Sequence, residues 1–150
     1  MEFKIRRFQD ADEPTLQRMV KQFYLEDAAD EPMNEEKVSR TIMALGNDST
    51  AGAILMVEGA PGILGYAIVI HYWSNEYGGW LAFLDELFID QTYRGLGLGS
   101  HLIEYITQEY GEQIMGTGLE VLPHNTRALQ LYLRLGFEPD GRYHLLHLKG

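Results

Sequence analysis

The chain has 150 residues, of which 45% are hydrophobic and 11% aromatic, enough for one core and too apolar for wholesale disorder. Its formal net charge of −10 argues against general binding of nucleic acid, whose phosphates would be repelled, and favours cationic partners. The absence of cysteine excludes disulfides and thiolate nucleophiles and suits a reducing, cytoplasmic setting; no apolar run approaches membrane-spanning length, so no membrane partner is expected.

Phe3, Ile5 and Arg7 begin a short strand. Asp10 or Asp12 can cap the helix that follows, with Pro14 tolerated in its first turn and Leu16, Met19, Val20 and Phe23 at helical spacing. Asn34 caps a second helix carrying Val38, Ile42 and Leu45, and Gly46 ends it. Residues 53–57 and 65–70 read as buried strands joined by the hairpin connection Glu58 to Gly62, and Trp80 to Asp90 reads as another strand. Leu98, Leu102, Ile103, Ile106 and Tyr110 mark a third helix, and Leu119 to Leu122 the end of a strand. Asn125 caps a fourth helix with Ala128, Leu131, Tyr132 and Leu135, closed by Gly136; Tyr143 to Leu148 reads as a final strand. No linker or repeat divides residues 1–150, so a single mixed α/β domain is expected, with a largely antiparallel central sheet and helices on both faces.

One segment carries chemistry beyond packing. After the strand ending near Asp90 comes Arg94-Gly95-Leu96-Gly97-Leu98-Gly99-Ser100, leading into a helix. Glycines free φ and let backbone N–H groups approach an anion, the helix N-terminus adds unpaired donors, and Arg94 adds a fork suited to phosphate. The segment lacks the Lys of a P-loop, and Ser100 and Leu102 stand where the dinucleotide fingerprint needs glycine. A second segment, Asn125-x-x-Ala128-x-x-Leu131-Tyr132-x-x-Leu135-Gly136-Phe137, is largely explained by capping and packing, with Tyr132 the residue whose hydroxyl needs an account.

Together these segments resemble the two signature motifs of the GNAT superfamily of acyl-CoA N-acyltransferases, the Arg/Gln-x-x-Gly-x-Gly/Ala turn and the later Asn-x-x-Ala-x-x-Leu-Tyr segment, with Leu84 to Asp90 similar to the strand that leads into the turn. The resemblance implies a sheet whose strands splay and acetyl-CoA as co-substrate. Amides from Leu96 to Ser100, with Arg94, would hold the pyrophosphate. The backbone of Leu87, Phe88 and Ile89 would pair with the pantetheine arm, Asn125 would touch the cofactor, and Tyr132 would lie near the thioester sulfur as general acid. The oxyanion donor would be a backbone N–H near Leu87. Residues 65–99 look similar to diamine and polyamine acetyltransferases, which carry Glu at the position of Asp85; the shorter Asp leaves room for a water. Asp85 and Glu86 are adjacent in a strand and should face opposite sides, so either serves as the base candidate.

Glu26, Asp27, Asp30, Glu31, Glu35 and Glu36 form an acidic stretch between the first two helices, suited to gathering a small cationic amine, and Tyr24, Trp73 and Trp80 could contact an ammonium or alkyl chain. The five histidines lack metal-ligand spacing, so no metal is expected. Rival readings are acetylation of a protein Lys or N-terminus, and a non-catalytic acyl-CoA-binding module. By analogy with the fold, a homodimer using residues 143–148 as an interface strand is also open.

Overall fold

The computed structural model describes residues 1–26, 31–47, 49–142 and 144–149. Two compact units emerge, Met1–Glu120 and Val121–Gly150. The first contains β1 (Phe3–Arg7), α1 (Glu13–Glu26), α2 (Glu35–Leu45), β2 (Gly52–Gly59), β3 (Gly62–Ser74), β4 (Gly79–Ile89), α3 (Leu98–Gln108) and β5 (Ile114–Leu119). The second contains α4 (Thr126–Arg134).

The five strands lie in chain order, β1-β2-β3-β4-β5. All neighbours are antiparallel except β4 and β5, which are parallel because α3 carries the chain back between them. Residues 53–57 of β2 are buried without alternation, as a central strand covered on both faces requires. On one face Leu16, Met19 and Val20 of α1 and Val38 and Leu45 of α2 pack on Ile54, Met56, Tyr66, Ile68 and Phe88. Each such fully buried aliphatic side chain contributes roughly 1.5–3 kcal/mol. Leu87 alternates with Phe88 and so faces away from this core; there α3 lies against β4, with Gly99 against Leu87.

Three elements differ from the sequence reading. Asp12 does not simply cap α1. It sits in a short 3-10 turn, 7% exposed, where its carboxylate takes Arg6 Nη1 and Nη2 at 2.7 and 2.9 Å and the Gln9 N–H at 2.8 Å. The Arg6 fork, set by β1, outcompetes the helix terminus for it and holds its carboxyl below the usual range. β5 stops at Leu119, earlier than the expected Leu122. No strand forms over residues 144–149, where Leu145, Leu146 and Leu148 are exposed, and Tyr143, the expected start of that strand, lies outside the described residues.

Candidate active site

β4 is the element on which the site is built. Its pairing with β3 runs the full length from Ser74↔Gly79 to Gly65↔Ile89 but is interrupted once, where Val69 opposes Leu84 and Ile68 opposes Glu86. Asp85 is therefore the extra residue of a β-bulge, and simple alternation does not govern the Asp85-Glu86 pair. On its other side β4 pairs with β5 only as far as Leu84↔Leu119. From Asp85 to Ile89 it has, among the described residues, β3 alone as a strand partner, so the edge of β4 away from β3 makes no strand pairing there.

The two carboxylates just beyond the end of that pairing have different surroundings. Glu86 points into the α1–α2 core face, where Tyr24 of α1 donates to its Oε2 at 2.5 Å and Tyr66 of β3 donates to its Oε1 at 2.9 Å. Burial pushes its carboxyl above the ordinary range; the two phenol donors oppose that shift, and the neighbouring Asp85 carboxylate adds to it. A small cavity between α1, α2 and the sheet has Glu86 as its one carboxylate amid Leu16, Val20, Met33, Val38, Thr41 and Ile68. Asp85 is solvent-accessible, yet its carboxyl is also raised, first by the protein mass around it and then by the carboxylate of Glu120 just beyond the end of β5.

The glycine turn follows directly. Asp90 Oδ1 accepts the Thr92 N–H at 3.0 Å and caps the short turn Gln91–Tyr93. Gly95 and Gly97 then adopt φ of +79° and +81°, the left-handed region that favours glycine. A Cβ at Gly95 would meet open space and one at Gly97 only His101 at an ordinary contact distance, so it is conformation and not crowding that selects glycine there. Gly97 is the N-cap of α3, which begins Leu98-Gly99-Ser100 with no acidic residue in its first turn. The first amides of α3 thus lack intrahelical acceptors and carry the positive end of the helix dipole. Leu96 is exposed beside them. This is a cradle that fits an anion.

Arg94, which precedes that cradle in the chain, is already engaged. Its Nε donates to Ile89 O at 2.8 Å, its Nη2 donates to Glu26 at 2.6 Å, and its guanidinium carbon lies 5.4 Å from the Phe88 ring centre. The Nη1 group has no partner among the described residues.

The remaining expected residues are distributed more widely. Tyr24 reaches Glu86, and Glu26 reaches Arg94, so both lie where α1 crosses the end of β4. Trp73 and Trp80 meet each other edge-on at 5.5 Å near the β3–β4 hairpin. Trp80 lies six residues from Glu86 along β4, roughly 20 Å at about 3.3 Å per residue. Glu31, Glu35 and Glu36 are exposed, and Glu36 pairs with Arg40. Asp27 and Asp30 lie outside the described residues. In the second unit Asn125 caps α4, accepting the Ala128 N–H at 3.3 Å, and Tyr132 packs edge-on against Phe137 at 5.9 Å. Sequence reasoning missed Tyr66, Glu120 and the β-bulge. A tyrosine inside the otherwise apolar run 65–70 was a usable signal, since a buried phenol needs an acceptor. The bulge has no signal in the residues themselves.

Comparison with known proteins adds independent findings. A family model described as the acetyltransferase (GNAT) family matches residues 14–137. The spermine/spermidine N(1)-acetyltransferase of Bacillus subtilis is 35% identical over 60 residues, which is 39% of this chain and 40% of that protein, so the alignment covers well under half the length of the curated relative. A possible acetyltransferase from Clostridium difficile superposes with a TM-score of 0.85 at 20% identity, covering 100% of both chains. An aminoglycoside acetyltransferase from an uncultured soil metagenomic sample, solved with sisomicin, superposes with a TM-score of 0.70 at 18% identity over 99% of this chain and 95% of that one. At such identities these two superpositions speak to the fold.

Proposed function

Because the chain belongs to the acetyltransferase (GNAT) family, we propose that it is an N-acetyltransferase that moves an acetyl group from acetyl-CoA to a small, cationic primary amine. The carrying observation is the end of β4–β5 pairing at Leu84↔Leu119, with Asp85 next along β4 and the glycine cradle following β4. Acetyl-CoA supplies the activated acyl group. The N–H groups of Leu96 to Ser100 and the guanidinium of Arg94 hold its pyrophosphate. The side of the Leu87, Phe88 and Ile89 backbone away from β3 takes its extended arm, and Asn125 is a further contact assigned from the family motif.

In this reading Asp85 is the base. Its carboxylate takes a proton from the ammonium, directly or through a water, and the freed amine lone pair attacks the thioester carbonyl carbon. A raised carboxyl pKa improves the match between Asp85 and its task. A backbone N–H near Leu87 faces the oxygen that gains negative charge. As the carbon–sulfur bond breaks, the Tyr132 hydroxyl gives its proton to the departing sulfur, a role that rests on the family motif, and the resulting phenolate regains a proton through water from the nitrogen, which sheds its second proton to become the amide. Glu86, with both oxygens already accepting hydrogen bonds from phenols, contributes negative charge that favours a cation nearby. The three carboxylates Asp85, Glu86 and Glu120 support a cationic acceptor, as does the likeness to a protein named for spermine and spermidine. Among the described residues no helix is long and apolar enough to cross a membrane, and we read the enzyme as working in the cytoplasm.

The test is steady-state acetylation of a panel of polyamines, aminoglycosides and peptide amines, with the Asp85→Asn and Tyr132→Phe variants alongside. Asp85→Asn should lower kcat about 10²–10⁴-fold with little change in the KM for acetyl-CoA. Absence of turnover with every amine despite tight binding of acetyl-CoA would leave a binding module in place of an enzyme.

A further inference from the structure

α1 is tied to the cofactor-side segment at two points: Arg18 to Asp90 at 3.7 Å and Glu26 to Arg94 at 2.6 Å. The second link is the shorter and chemically the more pointed. Glu26 is the last residue of α1, whose final turn contains no basic side chain. A carboxylate at a helix C-terminus opposes the dipole, and Arg94 supplies the cation that the helix itself lacks. Its guanidinium draws the Glu26 carboxyl below the usual range, with Gln22 donating to the other oxygen at 3.1 Å. Two residues back along the same helix, Tyr24 donates to Glu86. A continuous path therefore runs from the glycine turn through Arg94, Glu26 and the last turn of α1 to the phenol that holds Glu86.

We propose that Glu26 is a positioning residue that couples occupation of the anion cradle to the order of the acceptor side. This inference rests on the acetyl-CoA reading above. The Arg94–Glu26 pair is partly exposed, with side-chain exposures of 43% and 31%, so alone it is a weak link that forms and breaks. A pyrophosphate taken by the Nη1 face and the α3 amides restricts the guanidinium while leaving its Nη2 bond to Glu26 in place. Less freedom is then lost in making the Glu26 contact, so the link is made more of the time. The last turn of α1 firms, and with it the hydrogen bond from Tyr24 to Glu86. The cofactor thereby prepares the amine side before the amine arrives.

Hydrogen exchange of the amides of residues 22–26, with and without coenzyme A, tests this directly, with calorimetric titration confirming that each protein binds coenzyme A. In the unaltered chain coenzyme A should slow exchange there about 2- to 5-fold, the range a partly exposed ion pair supports. Glu26→Gln should still bind coenzyme A but lose that protection. Glu26→Asp should restore part of it, and Arg94→Lys, which keeps charge but cannot fork to Ile89 O and Glu26 together, should lose it. Equal protection in Glu26→Gln and the unaltered chain, or none in the unaltered chain with coenzyme A bound, overturns the coupling and leaves the acetyltransferase reading standing. Failure of coenzyme A to bind the unaltered chain removes both.

Discussion

Tyr66→Phe isolates one bond at the centre of the site. The ring is fully buried and stacks on Phe88 at 5.8 Å, a contact that phenylalanine keeps. What is lost is the hydroxyl that donates to Glu86 Oε1 at 2.9 Å. A hydrogen bond to a charged group contributes about 1.5–3 kcal/mol, and for a chain of this size each kcal/mol moves Tm by about 2–4 °C, so Tm should fall by about 3–12 °C. The pH dependence has a definite sign. Burial raises the Glu86 carboxyl above its ordinary 4.5, so the stability that this group contributes is fully present below 4.5 and is lost as pH rises through its value in the fold. Removing a donor to the carboxylate raises that value further. The penalty of Tyr66→Phe should therefore be largest at neutral pH and shrink below 4.5. Urea unfolding of the unaltered chain, Tyr66→Phe, Glu86→Gln and the double variant at both pH values measures it. The reasoning fails if the loss at neutral pH is below about 0.5 kcal/mol, or if it is the same in the Glu86→Gln background.

Three other outcomes follow from the geometry. Gly97→Ala places a side chain at φ +81°, a strain of about 1–2 kcal/mol, and should raise the Kd for coenzyme A about 5- to 30-fold by calorimetry; an unchanged Kd would show that the turn does not hold the cofactor. Asp12→Asn breaks the pair with Arg6 and should cost about 3 kcal/mol at neutral pH in chemical denaturation. Because Arg6 and then the Gln9 N–H lower the Asp12 carboxyl against the opposing effect of burial, that stability is present above its ordinary 3.8 and lost as pH falls through the folded value, so the difference between the two proteins should close in strong acid. Glu120→Gln removes the carboxylate that raises Asp85 and should move the acid limb of the kcat/KM profile to lower pH; an unmoved limb would mean that Asp85 is not the group titrating.

Most of the scaffold was legible because local chemistry and packing agree. The cap at Asn34, the spacing of Leu16, Met19 and Val20, and the turn from Arg94 to Gly99 each state their own conformation. What could not be read is whatever depends on which side chain wins a shared partner. Asp12 satisfies any rule for a helix cap, yet the Arg6 fork reaches it from β1. Arg94 satisfies any rule for a phosphate ligand, yet it also holds Glu26, 68 residues away in the chain. Asp85 and Glu86 follow the alternation of a strand on paper, whereas pairing with β3 skips one of them. The C-terminal residues 144–149 have strand-like composition but no strand partner among the described residues.

The bulge also separates what the fold requires from what the chemistry requires. Leu84 opposes Val69 and Glu86 opposes Ile68, so a chain shortened by Asp85 alone would resume an unbroken ladder with every neighbouring side chain on its present face. The acid is thus an insertion in a frame that is complete without it. A lineage could gain or lose the proton acceptor proposed here by a change of one codon in length and keep the same architecture, so resemblance in shape among such chains is a poor guide to which of them turn over substrate.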